Sequence, residues 1–217
     1  MSENTDIKIK MCGFTRAEDA RAAVGLGVDA IGMLFYPGSP RFVSQEQARE
    51  IAAEVHGKAL LVGLFVDAQA AFIEDILDDV PLDILQFHGS ESLAFCQSFG
   101  KPFWKTLRVK QAEDLPVKAA EFADADGILV DTWHPTKAGG TGETFDWTLL
   151  EGLEIHRHLV LAGGLNPDNV RQAIKQVRPW AVDVASGVEE RPGIKSYALM
   201  QDFVKAVGRK KASGLPR

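Results

Sequence analysis

Along the chain, short runs rich in Val, Ile, Leu and Phe alternate with longer stretches whose apolar residues recur every three or four positions. Runs of the first kind suit strands buried on both faces, and stretches of the second kind suit helices that cover them. The alternation therefore reads as repeated βα units around a parallel sheet. Eight runs predict strands, at 7–12, 29–35, 59–66, 83–88, 102–109, 126–131, 158–163 and 181–186. Helix-like stretches fall between them: 68–79, 91–99, 111–124, a short piece after Asp146, and 195–208. Start signals mark three more. Thr15 with Glu18 and Ser44 with Gln47 have capping-box spacing, and Asn166 before Pro167 fits an N-cap followed by a first-turn proline. Gly27, Gly57 and Gly100 punctuate the returns.

A chain of 217 residues shared among eight such units allows roughly 27 residues per unit, close to the smallest (β/α)8 barrels. A doubly wound open sheet shares the alternation but usually has fewer strands. The expectation is an α/β fold, a single-domain (β/α)8 TIM barrel spanning 1–217, with 1–6 and 210–217 as flexible tails. Gly25, Gly27 and Ala30 match a dinucleotide-type glycine pattern, but they end a helix and lead into a strand. Pyrophosphate binding needs the reverse order, strand then helix.

Composition narrows the functional classes. The formal charge of −6 and the lack of a basic cluster before the last residues argue against nucleic acid, whose binding needs gathered positive charge. No apolar run approaches the roughly 20 residues of a membrane span, and the polar start lacks a signal-peptide layout, so a cytoplasmic protein is expected. Cys12 and Cys96 are too few for a disulfide framework and lack metal-type spacing, so both are expected to be free thiols.

Barrel enzymes gather their reactive groups at the C-terminal ends of the strands. Those ends read Lys10-Met11-Cys12-Gly13, Gln86-Phe87-His88-Gly89, Leu129-Val130-Asp131-Thr132, Ala162-Gly163-Gly164 and Val184-Ala185-Ser186-Gly187. Strand alternation turns Lys8, Lys10 and Cys12 toward the barrel axis and Ile7, Ile9 and Met11 toward helices. A lone cysteine is usually a small buried hydrophobe, but a strand-end position beside Gly13 favours a site role for Cys12. Cys96, on an apolar helix face with Leu93 and Phe99, keeps the ordinary reading. Asp131 can cap a turn or serve a site, and the glycine-rich stretch 139–142 after it can be a plain connection or a lid. Gly163-Gly164 and Ser186-Gly187 stand where barrels often hold a phosphate on backbone amides. His88 is a strand-end polar group or a supporting site residue, with no metal-ligand spacing nearby. Arg41 is a solvated surface arginine or a bidentate grip on a carboxylate.

Taken together these motifs resemble the phosphoribosylanthranilate isomerase family over about 9–207. The resemblance rests on Lys10-Met11-Cys12-Gly13-Phe14-Thr15, Ser39-Pro40-Arg41, Gln86-Phe87-His88-Gly89, Val130-Asp131-Thr132 with Gly139-Gly140-Thr141-Gly142 and Phe145-Asp146-Trp147, Leu161 through Val170, and Asp183 through Glu189. Met11 and Phe14 stand where the family often has Ile, both apolar exchanges. The resemblance implies an Amadori rearrangement of N-(5-phosphoribosyl)anthranilate in tryptophan biosynthesis, with Cys12 as general base and Asp131 as general acid. It places the anthranilate carboxylate near Arg41 and the phosphate on the amides of Gly164, Gly187 and neighbours, with Asp183 and Ser186 shaping that end. Lys10, His88 and Gly163 complete the expected substrate-binding set, and Lys10 is expected to favour the thiolate. No metal or other cofactor is required, since the iminium formed on ring opening is itself the electron sink. The expected partner is a small phosphorylated substrate, and the chain is expected to be a monomer or homodimer. The histidine-pathway isomerase would use paired aspartates and two phosphate sites, and indole-glycerol-phosphate synthase would want lysine and glutamate at strand ends. A non-catalytic sugar-phosphate-binding barrel would need neither acid nor base.

Overall fold

The computed structural model describes residues 7–109, 115–132, 147–150 and 158–208. Eight parallel strands close a barrel in chain order: β1 Lys8–Cys12, β2 Ala30–Leu34, β3 Leu60–Phe65, β4 Ile84–Phe87, β5 Phe103–Val109, β6 Gly127–Thr132, β7 His158–Ala162 and β8 Ala181–Val184, which pairs back onto β1. Helices follow the strands: α1 Ala17–Gly25, α2 Gln45–Val55, α3 Ala70–Asp79, α4 Leu93–Gln97, α5 Leu115–Glu121, α6 Val170–Val177 and α7 Tyr197–Val207. A 3₁₀ turn at Trp147–Leu150 precedes β7. The predicted short piece after Asp146 is this turn. The tails 1–6 and 210–217, residues 111–114 of the fifth predicted helix, and 139–142 lie outside the described residues.

The period-two pattern divides the apolar side chains into two cores. Outward positions such as Ile9, Met11, Ile31, Phe65, Phe87, Ile128, Val130 and Val182 pack under the helices in one large cluster. Inward positions Ala30, Val62, Ile84, Trp104, Leu129, Val160, Ala162 and Ala181 form a second, smaller cluster inside the barrel. With inner groups filling the lower barrel, the polar side chains inside it are left to the rim where strands end.

Six predicted strand starts prove to be one residue early, and three of them, at 29, 83 and 126, share one reason. The side chain of Asp29 accepts the N–H of Ile9 at 2.7 Å, that of Asp83 accepts the N–H of Leu61 at 2.7 Å, and that of Asp126 accepts the N–H of Phe103 at 3.0 Å. Each aspartate also donates its own N–H to the same residue's carbonyl, at 2.9 Å in all three cases. These two-bond clamps satisfy an amide at or next to the start of a neighbouring strand.

Helix starts divide similarly. The Ser44–Gln47 capping box is present. Thr15 does not cap α1: its hydroxyl donates to the Gly193 carbonyl at 2.6 Å, and Arg16 holds the N-cap position without a side-chain cap. The Asn166 carboxamide accepts the N–H groups of Asp168 and Asn169 at 2.9 and 3.1 Å, a local turn, so α6 begins only at Val170. Lys195 does not open the last helix. It lies on β10 (Ile194–Lys195), which pairs with β9 (Glu189–Arg191) in an antiparallel hairpin that the pattern did not predict.

Candidate active site

Cys12 ends β1 on the inward side, as alternation requires, and is 4% exposed. Its β2 neighbour in the ladder is Gly32, where a Cβ would stand 2.6 Å from the Cys12 sulfur, so only glycine leaves the thiol its place. Burial pushes this thiol above its ordinary value. Lys10 pulls it down, Asp183 pushes it up and Lys195 pulls it down, the sum remaining upward. The expected help from Lys10 is therefore outweighed, partly because Lys10, 1% exposed, pairs with Asp183 at 2.9 Å. That pairing holds Lys10 above its ordinary value despite the opposing effect of burial. Cys96 is buried on α4, and burial raises its thiol to about 11, in keeping with a structural residue.

Asp131 lies on β6 at the next inward position after Leu129, which belongs to the inner core. His88, just past β4, places Nε2 3.4 Å from Asp131 Oδ2. Gln86, the inward residue below His88, donates to Thr106 Oγ1 at 3.2 Å, while Gln86 Oε1 and His88 Nδ1 have no hydrogen-bond partner among the described residues. Buried polar atoms without partners are costly, and a polyhydroxylated ligand is suited to meet them. Gln86 was quoted in a motif but given no role by its sequence. Its signal was the alternation that turns it inward beneath His88.

These groups share one cavity of about 250 Å³ at the C-terminal rim, lined by Cys12, Arg41, Gln86, His88 and Asp131 on one part and by Gly163, Gly164, Asp183 and Ser186 on another. Lys10 and Gly187 do not line it. Lys10 supports it from behind through Asp183 and the Cys12 thiol, and Gly187 sits in the 3₁₀ turn Ser186–Val188, pressed against the loop after β7. A Cβ on Gly187 would collide with the Leu165 carbonyl, so glycine here lets the two phosphate-candidate loops touch. Glu189 grips the cavity-lining Arg41 through both carboxylate oxygens at 2.6 to 3.1 Å.

A larger cavity of about 660 Å³ opens at the other end of the barrel, beside Lys8, Asp29, His56, Asp83, Trp104 and Trp180. Its two carboxylates are the strand clamps already described, engaged with backbone amides. The chemistry gathers at the smaller cavity. Among the described residues no three His, Cys, Asp or Glu side chains converge as a metal site, and no helix is long and apolar enough to cross a membrane.

A closed parallel barrel with a cysteine, an aspartate and two glycine turns at its C-terminal rim defines the class: an enzyme of the (β/α)8 type built around a small anionic substrate. Residues 9–206 match the family described as N-(5'phosphoribosyl)anthranilate (PRA) isomerase, and the chain belongs to this family. It is 50% identical over 201 residues to the N-(5'-phosphoribosyl)anthranilate isomerase of Stutzerimonas stutzeri, covering 93% of this chain and 97% of that one. The Pseudomonas fluorescens enzyme of the same name is also 50% identical, over 208 residues, covering 95% and 98%. Among solved structures, phosphoribosyl anthranilate isomerase from Thermotoga maritima superposes with a TM-score of 0.86 at 40% identity, covering 93% of this chain and 98% of that one. A second structure, of a phosphoribosyl anthranilate isomerase in complex with reduced 1-(o-carboxyphenylamino)-1-deoxyribulose 5-phosphate, superposes with a TM-score of 0.80 at 37% identity, covering 93% and 98%.

Proposed function

We propose that the isomerisation of N-(5-phosphoribosyl)anthranilate by this chain, a step of tryptophan biosynthesis, runs with Cys12 as general base and Asp131 as general acid. The observation that carries this reading is that both residues, from strands on different sides of the barrel, line the same cavity. Asp131 gives a proton to the furanose ring oxygen as the C1–O bond breaks and the nitrogen lone pair forms an iminium. The Cys12 thiolate then removes the proton on C2. The C–H electron pair becomes the C1=C2 bond, the nitrogen recovers its lone pair, and the resulting enolamine gains a proton at C1 and loses one from its hydroxyl to give the 2-ketone. His88 orients the Asp131 carboxyl, and Gln86 and His88 meet the sugar hydroxyls.

The phosphate belongs on the backbone of the turns after β7 and β8, at Gly164 and Ser186 with their neighbours, where backbone N–H groups suit an anion. Asp183 lines that end and is held from behind by Lys10. Arg41 faces the anthranilate carboxylate. The chain acts in the cytosol as a monomer or homodimer. Loss of substrate fluorescence, followed with freshly condensed substrate, tests the reading: the chain turns it over, and Asp131→Asn lowers kcat roughly 10²- to 10⁴-fold. Turnover by Asp131→Asn within threefold of the parent would remove Asp131 from the acid role.

A further inference from the structure

Arg41 stands on the loop after β2, a position where an arginine would ordinarily swing freely in solvent. Its side chain is only 21% exposed, and that of Glu189, its partner on the β9–β10 hairpin, is 3% exposed. The carboxylate takes the Nε and Nη2 side of the guanidinium, with contacts of 2.9 and 3.1 Å from Nε and 2.6 Å from Nη2. A guanidinium has five N–H donors in a rigid plane, so this grip leaves the Nη1–Nη2 edge for a second carboxylate. Arg41 lines the cavity.

Burying Glu189 is costly unless its charge is answered. Lys195 answers it. The Lys195 side chain is fully enclosed, and its ammonium donates to Glu189 Oε1 at 2.8 Å, to the Cys12 carbonyl at 2.6 Å and to the Ala185 carbonyl at 3.2 Å. All three of its donors are thereby spent on tying the hairpin to the ends of β1 and β8. The Gly193 N–H adds a further contact to Glu189 at 3.3 Å. Burial alone would push the Glu189 carboxyl up, but Arg41 and Lys195 together hold it below its ordinary value. Arg41, Glu189 and Lys195 sum to one net positive charge, so Glu189 fixes Arg41 without cancelling the site's attraction for anions.

We propose that Glu189, tethered by Lys195, is a positioning residue that sets selectivity for an aryl carboxylate by holding the free edge of Arg41 toward the cavity. This rests on the reading that Arg41 receives the anthranilate carboxylate. A purely electrostatic role makes the opposite prediction, since removing the Glu189 charge would then strengthen the binding of every anion.

Two stable ligands separate these possibilities: reduced 1-(o-carboxyphenylamino)-1-deoxyribulose 5-phosphate and its counterpart lacking the ring carboxyl. Their dissociation constants are measured by titration calorimetry for the parent chain, Arg41→Met, Glu189→Gln and Glu189→Asp. The parent is expected to prefer the carboxylated ligand roughly 10- to 100-fold, the range of a charge-assisted hydrogen-bonded pair. Arg41→Met should bring the two affinities within about threefold. Glu189→Gln should lose roughly tenfold of the preference, while affinity for the ligand without the carboxyl stays near the parent's. That second ligand reports whether the fold and phosphate site are intact. Glu189→Asp, which keeps the charge but is too short to span Arg41 and Lys195 together, should lose preference in the same direction and decides the matter if Glu189→Gln fails to fold. If Arg41→Met keeps the preference, the carboxylate reading of Arg41 falls. If Arg41→Met abolishes it while either folded Glu189 variant keeps it, the positioning role alone is overturned.

Discussion

At the scale of single residues, the site is governed by what can be buried beside what. Cys12 is enclosed by Lys10 on its own strand, Lys195 on β10, Asp183 on β8 and Arg41 on the loop after β2, and burial still outweighs the cations. The thiolate is the reactive form, so kcat/KM should fall roughly tenfold for each pH unit below the thiol's pKa. The sign follows from the upward shift: the rising limb of the pH profile in the free enzyme is expected above the ordinary thiol value of about 8.5. A profile already flat at pH 6 would contradict it. Cys12, His88, Asp131 and the glycine pairs were legible because each stands at the end of a strand whose alternation shows which side faces in. Lys195 and Glu189 were not, because their partners lie far away along the chain. Lys195 meets the Cys12 carbonyl from 183 residues away and Arg41 meets Glu189 from 148. Local period carries no trace of such pairings.

At the scale of elements, type was far more legible than boundary. Strands β2, β4 and β6 were anticipated from apolar runs opened by Asp29, Asp83 and Asp126, and those aspartates proved to be clamps on the preceding strand. Asp83→Ala would leave the Leu61 amide without its partner, with an expected loss of about 1–3 kcal/mol in unfolding free energy by urea titration. Asp83→Asn, which keeps an acceptor oxygen, should lose less, and equal losses would show that the charge and not the hydrogen bond matters. The β9–β10 hairpin escaped notice because strands of three and two residues are too short to display a period. Thr15 was misread as a cap for a different reason: its side chain is turned to the hairpin, where the hydroxyl donates to the Gly193 carbonyl, and Arg16 takes the N-cap position.

At the scale of the whole molecule, closure of the sheet turns eight local alternations into one inner face and one outer face. The outer face and the helices share the larger core, while the inner face is apolar in its lower part and polar at the rim. This architecture was readable from the repeat alone, since each unit needs its neighbours to bury its strand. What the repeat could not supply was which rim residues meet, because that depends on register around the barrel. Closure brings Cys12 on β1 and Asp131 on β6 to one cavity, with the glycine turns after β7 and β8 beside them. The most direct test is kcat of Cys12→Ser on freshly formed N-(5-phosphoribosyl)anthranilate, measured alongside the affinity for the reduced product analogue. The expected result is a kcat lower by roughly 10²- to 10⁴-fold with affinity kept within about threefold. A variant that turns over at nearly the parent rate, or that loses affinity as steeply as turnover, would contradict a base at Cys12 acting across this cavity.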